Sequence, residues 1–240
     1  MIVIPVDPLN PGHVFAAVGL TELAYRITGN ALGSFDNSSN YCLEIENPMT
    51  IAKLIKRIQA MEIIADVPTD NMTSLRIGGL RLNWWTTAKV KDREAGNLKV
   101  WAPKQSTFKM AASAKAYLCC EREILFDRRE VFESGTRKPI ALPSLDAQRA
   151  PTTVDTGYSP NELGHKIIPA PSVEFFAMVG LQRAFPAKNK GRFAYSTWTK
   201  RLPPSLLPAA IAGYISPQNE YVFGIAKDGK NSRVSAAQQI

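Results

Sequence analysis

One six-residue signature, Phe-Ala-x-Val-Gly-Leu, occurs twice, at Phe15 to Leu20 and again at Phe176 to Leu181. Each copy follows a short apolar segment, Ile2 to Val6 in the first case and Lys166 to Ala170 in the second. Each therefore reads as a strand, a tight turn and a helix that is apolar nearly all round. A helix without a polar face has to be buried. Glycine inside a helix costs about 1 kcal/mol relative to alanine. Gly19 and Gly180 at the same place in both copies thus imply a close approach, which we expect to be that of a helix to the sheet beneath it. One β-α unit has been used twice.

Around the first copy, Asn10 is a good helix cap with Pro11 at the first helical position, and Gly29 ends the helix. Ala31 to Phe35 and Tyr41 to Ile45 flank the turn-forming run Asp36 to Asn40 and predict a hairpin. Asn47-Pro48 suggests a second cap, before a helix with Ile51, Leu54, Ile55, Ile58 and Met61 on one side and Lys53, Lys56 and Arg57 on the other. Leu75 to Trp84 alternates as a half-exposed strand, bulged or bent at Gly78-Gly79. The order β-α-β-β-α-β is the split β-α-β pattern of a ferredoxin-like fold.

Ser106 or Thr107 opens a helix that is expected to run on toward Phe126. From Gly135 to Pro171 prolines and turn residues dominate, which predicts an irregular crossover. Beyond it come a strand at 166–170, the repeated helix, a strand at 192–200, a helix at 204–212 and a strand at 221–226. The expected architecture is α+β with two ferredoxin-like units, the second degenerate: residues 1–134, and residues 135–240 including the crossover. The polar tail after Asp228 is expected to order only on contact with a partner.

Charge indicates what such a frame would meet. The chain has 240 residues with 29 basic and 21 acidic side chains, a net charge of +8. A polyanion, nucleic acid first, is the natural partner. Residues 86–104 are polar and basic, with Lys89, Lys91, Arg93, Lys99 and Lys104 interrupted by Asp92 and Glu94 and bracketed by Trp84, Trp85 and Trp101. Tryptophans among lysines suit stacking on unpaired bases with phosphate neutralisation; for any one of them, anchoring a long loop to the core is the stronger reading. Arg76 and Arg81 add charge to the adjacent strand. From Pro186 onward Lys188, Lys190, Arg192, Lys200, Arg201, Lys227, Lys230 and Arg233 stand against only Glu220 and Asp228. No apolar run approaches the ~20 residues that span a bilayer, and the amino terminus lacks a basic leader. Both point to the cytoplasm and away from a membrane.

Catalytic material is sparse. There are two histidines, His13 and His165, and no H-E-x-x-H, G-x-S-x-G, Walker A, G-x-G-x-x-G or C-x-x-C motif. Cys42, Cys119 and Cys120 have no metal-ligand spacing and read as reduced thiols. Asp146, Asp155 and Glu162 in the crossover, and Asp127 and Glu130 on the helix before it, lack ligand-like spacing. Asp146 pairing with Arg149 would hold the crossover. No metal or other cofactor is called for.

Ile4-Pro5-Val6-Asp7 with Asn10-Pro11-Gly12, Leu82 to Trp85, Lys99 to Ala102 with Gln105, Leu145 to Ala150, Gly157 to Pro160, and Pro171 to Glu174 with Val179 to Arg183 run in order over nearly the whole chain. Together they resemble the small accessory subunit family of type I-U (I-G) CRISPR systems. The resemblance implies a subunit of a Cascade-like RNA-guided surveillance complex in antiviral defence, grouped with the repeat-associated RNA-binding proteins (RAMP) built from ferredoxin-like domains. Its partners would be CRISPR RNA, with target DNA as a second candidate, and other Cascade subunits.

The leading expectation is thus a non-enzymatic nucleic-acid-binding subunit, with Lys89, Lys91, Arg93, Lys99 and Lys104 on phosphate. Trp84, Trp85 and Trp101 would stack or support the loop. Two alternatives stand beside it. One is a metal-independent endoribonuclease maturing precursor CRISPR RNA with His13 as base. The other is an architectural adaptor between subunits.

Overall fold

The computed structural model describes residues 1–46, 49–86, 98–102, 104–128, 130–133, 142–147, 165–168, 170–189, 191–228 and 231–240. Strand β1 (Ile2–Ile4) leads into helix α1 (Pro11–Thr28). The Asn10 side chain accepts the Gly12 N–H at its start, and Gly29, at φ 79°, ends it. β2 (Ala31–Phe35) and β3 (Tyr41–Ile45) form the expected hairpin. β1 joins β3, giving the order β1-β3-β2. β1 and β2 therefore run parallel with β3 between them and α1 as their connection.

Helix α2 (Ile51–Ala60) buries Ile51, Leu54, Ile55 and Ile58 and exposes Lys53, Lys56 and Arg57. Its cap is Thr50, whose hydroxyl accepts the Lys53 N–H, so the capping position lies later than Asn47-Pro48, which fall outside the described residues. Beyond α2 the order departs from expectation. β4 (Ile63–Ala65) pairs with β5 (Leu75–Ile77), and β5 pairs with β6 (Leu80–Leu82) as a separate sheet. Gly78 and Gly79, at φ 53° and 76°, reverse the chain in a two-residue turn. What read as one bent strand is a hairpin, which recruits Ile63–Ala65 as its third strand instead of sending a fourth strand to β1.

Helix α3 (Thr107–Ala116) stops well short of Phe126. Its successor residues are claimed by tertiary contacts: the Cys119 N–H donates to Ser172 Oγ, while Leu118, Leu125 and Phe126 enter the core. Glu130, expected on that helix, instead opens β7 (Glu130–Glu133). β8 (His165–Ile168) pairs with β7 and precedes helix α4 (Pro171–Arg183). β9 (Ala187–Asn189) and β10 (Arg192–Trp198) follow, then a 3-10 turn at Pro204–Leu206 running into helix α5 (Leu207–Ile211). β11 (Pro217–Phe223), β12 (Ile225–Asp228), β13 (Asn231–Val234) and β14 (Gln238–Gln239) complete the chain.

The second large sheet has the order β14-β11-β10-β9, and β12 pairs with β13. The strand before α4 is thus not in the sheet that follows α4, and the sequence repeat is limited to strand and helix. The tail corrects expectation as well. β13 pairs with β12 and β14 with β11, because Val234 and Ala237 are buried and the Ala237 N–H donates to Leu9 O at 2.7 Å. Among the described residues the architecture is mixed α+β with small antiparallel sheets and no barrel. One continuous core runs from Ile4 and Val14 through Phe176 to Phe223 and Val234, shared by residues 1–134 and 135–240.

At its centre α1 lies against α4. A Cβ on Gly19 would land on the Phe176 carbonyl oxygen, and one on Gly180 on the Phe15 carbonyl oxygen. The close approach is therefore helix to helix, not helix to sheet. Gly12 faces Val173 at one end, and at the other Arg183 Nε and Nη2 donate to Glu22 at 2.6 and 2.9 Å. Equivalent positions of the repeat meet, so the two helices run in the same direction about a local two-fold. Burial would raise the Glu22 carboxyl, but hydrogen bonds from Arg183 and from Arg26 (2.6 Å) outweigh it and hold the group below its ordinary range.

Parallel helices put both N-termini at one end, and the segment 142–147 crosses them. Asp146 Oδ1 accepts from Asn10 Nδ2 at 2.7 Å and Oδ2 from the Ala170 N–H at 3.3 Å. Glu174 accepts the Leu145 and Asp146 N–H groups at 2.9 and 3.1 Å. Asp146 thus ties the crossover to both helices; Arg149, its expected partner, lies outside the described residues. Burial, with the Asp146 carboxylate nearby, pushes the Glu174 carboxyl up to about 8 against the pull of those amides.

Gly19→Ala is expected to destabilise the fold by about 3 kcal/mol or more in urea denaturation, since neither backbone can yield without parting the helices. Gly224→Ala, whose added Cβ would meet only Ser235 Oγ at 4.0 Å, should stay within about 0.5 kcal/mol of the parent. A raised carboxyl pKa favours the fold at low pH and loses that contribution as pH rises through it. Unfolding free energy measured from pH 5 to 8 should therefore fall by up to about 1.4 kcal/mol per pH unit relative to Glu174→Gln, which lacks the titrating group.

Candidate nucleic-acid interface

Trp84 and Trp85 follow β6 after Asn83, and Trp101 returns from the far end of the basic segment. Their rings meet edge to face: 5.4 Å between Trp84 and Trp85, 5.5 Å between Trp84 and Trp101, and 6.0 Å between Trp85 and Trp101. Such pairs add about 0.5–1.5 kcal/mol each beyond the area they bury. Trp85 is fully buried and its indole N–H donates to Thr73 O at 3.1 Å. Trp84 is half-buried, its indole N–H donating to Met178 O at 2.9 Å and its backbone N–H to Gln182 Oε1 at 3.1 Å. The tryptophan base is therefore bolted to the C-terminal half of α4. Buried Leu98 and Val100 flank it on the return side.

Of the two roles open to these tryptophans, burial gives Trp85 and Trp101 the supporting one, because neither presents a ring face on which a base could lie. Lys99 shares that role: its ammonium donates to Trp101 O at 2.5 Å and sits 5.3 Å from the Trp101 ring centroid. Burial lowers its pKa. Lys104 is exposed. Lys89, Lys91 and Arg93 lie outside the described residues.

Arg76 and Arg81 are cross-strand neighbours on the exposed face of the β4-β5-β6 sheet. Both reach Asp66, Arg76 Nε at 2.8 Å from Oδ1 and Arg81 Nη2 at 2.9 Å from Oδ2. That carboxylate, for which no sequence pattern gave a role, fixes the two guanidinium groups side by side and cancels one of their charges. Exposed ion pairs of this sort add at most about 1 kcal/mol of stability.

Phe185, likewise not singled out by its sequence, is 44% exposed, and its ring lies 6.2 Å from that of Trp84. No sequence pattern marks it: the structure buries its neighbours Ala184 and Pro186 and leaves the large apolar residue of the three outside.

His13 is 1% exposed in the first turn of α1. Its Nδ1 accepts the Asp7 N–H at 3.2 Å and its ring lies 5.7 Å from Phe126. That enclosure leaves no approach for a ribose hydroxyl. His165 falls in β8, and Asp155 and Glu162 lie outside the described residues. Among the described residues no three His, Cys, Asp or Glu side chains gather as a metal site, and no helix is long and apolar enough to cross a membrane. No protein-family model, curated protein or solved structure matches the chain.

Trp85→Ala should cost about 3–5 kcal/mol in denaturant unfolding, the range for emptying a large aromatic site. Arg76→Ala and Arg81→Ala should each change stability by less than about 1 kcal/mol in the same assay.

Proposed function

We propose that this chain is a non-catalytic nucleic-acid-binding subunit of a type I-U/I-G CRISPR surveillance complex. It would hold the backbone of CRISPR RNA or of target DNA while base pairing supplies sequence specificity. The observation that carries the reading is the closed tryptophan base. Thr86 leaves it and Leu98 re-enters it, so the two residues that flank Lys89, Lys91 and Arg93 in the sequence are both fixed on that base. These three cations stand against Asp92 and Glu94, so the case for a polyanion rests on basic residues set beside aromatic ones together with the chain's net charge of +8.

The β1-β3-β2 order, with α1 joining two parallel strands across a third, supports a ferredoxin-like origin for the first unit. The family resemblance of the motifs adds the complex, its antiviral role, its cytoplasmic setting and its sister subunits to the proposal. The enclosure of His13 weighs against an endoribonuclease using that side chain as base.

Replacing Lys89, Lys91, Arg93 and Lys104 together by alanine tests the reading. Single-stranded RNA affinity should drop, and the slope of log K against log salt should shrink by about 3, near 0.7 for each phosphate no longer neutralised. Unchanged affinity and slope would defeat it. A pull-down identifying both RNA and protein partners names the assembly.

A further inference from the structure

We infer that the outer edge of β4 is a self-association site, at which a second copy of this chain adds its own β4 antiparallel about a two-fold axis through Ile64. β4 is an edge strand in the order β4-β5-β6. The Asp66 N–H donates to Ser74 O at 2.9 Å, and Ile64 faces Arg76 in the same register. Hydrogen-bonded positions alternate along an antiparallel pair. Ile64 and Asp66 thus turn their backbone groups toward β5, and Ile63 and Ala65 turn theirs away from it. No strand among the described residues takes these up. Helix α3 packs against both α4 and β4, which sets it on the core side of the sheet. The side chains of Ile63 and Ala65 face that core, yet both residues stay partly exposed while Ile77 and Leu75, opposite them on β5, are buried. That exposure is the mark of an open edge.

Register and charge select the occupant. In another copy the same residues meet these, Ile63 opposite Ala65 and Ala65 opposite Ile63, each pair exchanging its N–H and C=O groups. Ile64 then stands opposite the partner's Ile64 in a non-hydrogen-bonded pair, where side chains approach most closely. Ile64 is 48% exposed, and that contact covers it. Arg76 and Arg81 share the Asp66 carboxylate, which leaves one positive charge over. Glu62, on the same face as Ile64, is exposed and pairs with no cation among the described residues. The two-fold sets the partner's Glu62 directly opposite Asp66, so each pair of arginines meets a pair of carboxylates. A strand of unrelated sequence would match the backbone but not the surplus charge. The ladder is short, so the dissociation constant should be on the order of tens of micromolar.

The test is sedimentation equilibrium of the full-length, nuclease-treated protein from about 5 to about 500 µM, which should show a monomer passing into a dimer. Ile64→Lys, which sets two ammonium groups face to face at an exposed position, should raise the dissociation constant at least about tenfold, while Ile64→Val should leave it within about twofold. Ile64→Cys should give a disulfide-linked dimer under mild oxidation, since a non-hydrogen-bonded pair brings the two Cα atoms within bridging range. Arg57→Cys, exposed on α2, should not. The cross-link fixes the register whether or not Ile64→Lys folds. A wild type that stays monomeric at every concentration would overturn the inference. So would a dimer that Ile64→Cys fails to link, or one that a folded Ile64→Lys leaves intact. These readouts contain no RNA, so their failure is separate from that of the proposed function.

Discussion

Two glycines set the geometry of this protein. With no side chain at Gly19 or Gly180, the backbones of α1 and α4 meet at the carbonyls of Phe176 and Phe15. That approach replaces side-chain packing by backbone contact over a full turn. Everything else is arranged around it, because two parallel helices this close leave no freedom in where their ends fall. The N-termini share one end and the C-termini share the other.

Each end then carries a buried acidic side chain whose oxygens are taken up by specific partners. At the C-terminal end Glu22 takes Arg26 from its own helix and Arg183 from the facing one, so a carboxylate that burial alone would neutralise stays ionised. Removing a partner of such a group costs far more than the pair contributes relative to apolar residues. At the N-terminal end Asp146 and Glu174 take amides from a crossover that would otherwise have no regular structure to satisfy it. A carboxylate there also faces the positive ends of two helix dipoles at once. The proposed interface inherits this rigidity. Met178 and Gln182 of α4 hold Trp84, Trp84 holds Trp101 and Phe185, and the basic segment springs from that base.

The chain's local elements were largely written in its residues. The α1 cap at Asn10, its stop at Gly29, the β2-β3 hairpin, the buried face of α2 and the β10 alternation all follow from side-chain periodicity and turn chemistry. The misses share a cause. Gly78-Gly79 could bend a strand or reverse it, and only the presence of Ile63–Ala65 as a partner settles which. The helix beyond Ala116 was ended by Ser172, more than fifty residues away, and the tail was ordered by two small apolar side chains finding the core. Trp85 and Trp101 read alike as stacking or supporting groups, since exposure is not a property of the residue itself.

The sequence by itself determined that a β-α unit occurs twice, that its helices are buried and that glycine stands at the same place in each. It also held, unread, the reason they pair: at matching positions of the repeat Gly12 meets Val173 and Glu22 meets Arg183, small with large and acid with base. Tertiary structure alone decided that these helices face each other and not a sheet, that Leu75 to Leu82 folds as a hairpin in a sheet of its own and not as a fourth strand of the first, and that Phe185 stays outside while the tryptophans go in. Those outcomes depend on contacts between segments far apart in the chain, whose energies no local pattern of residues records.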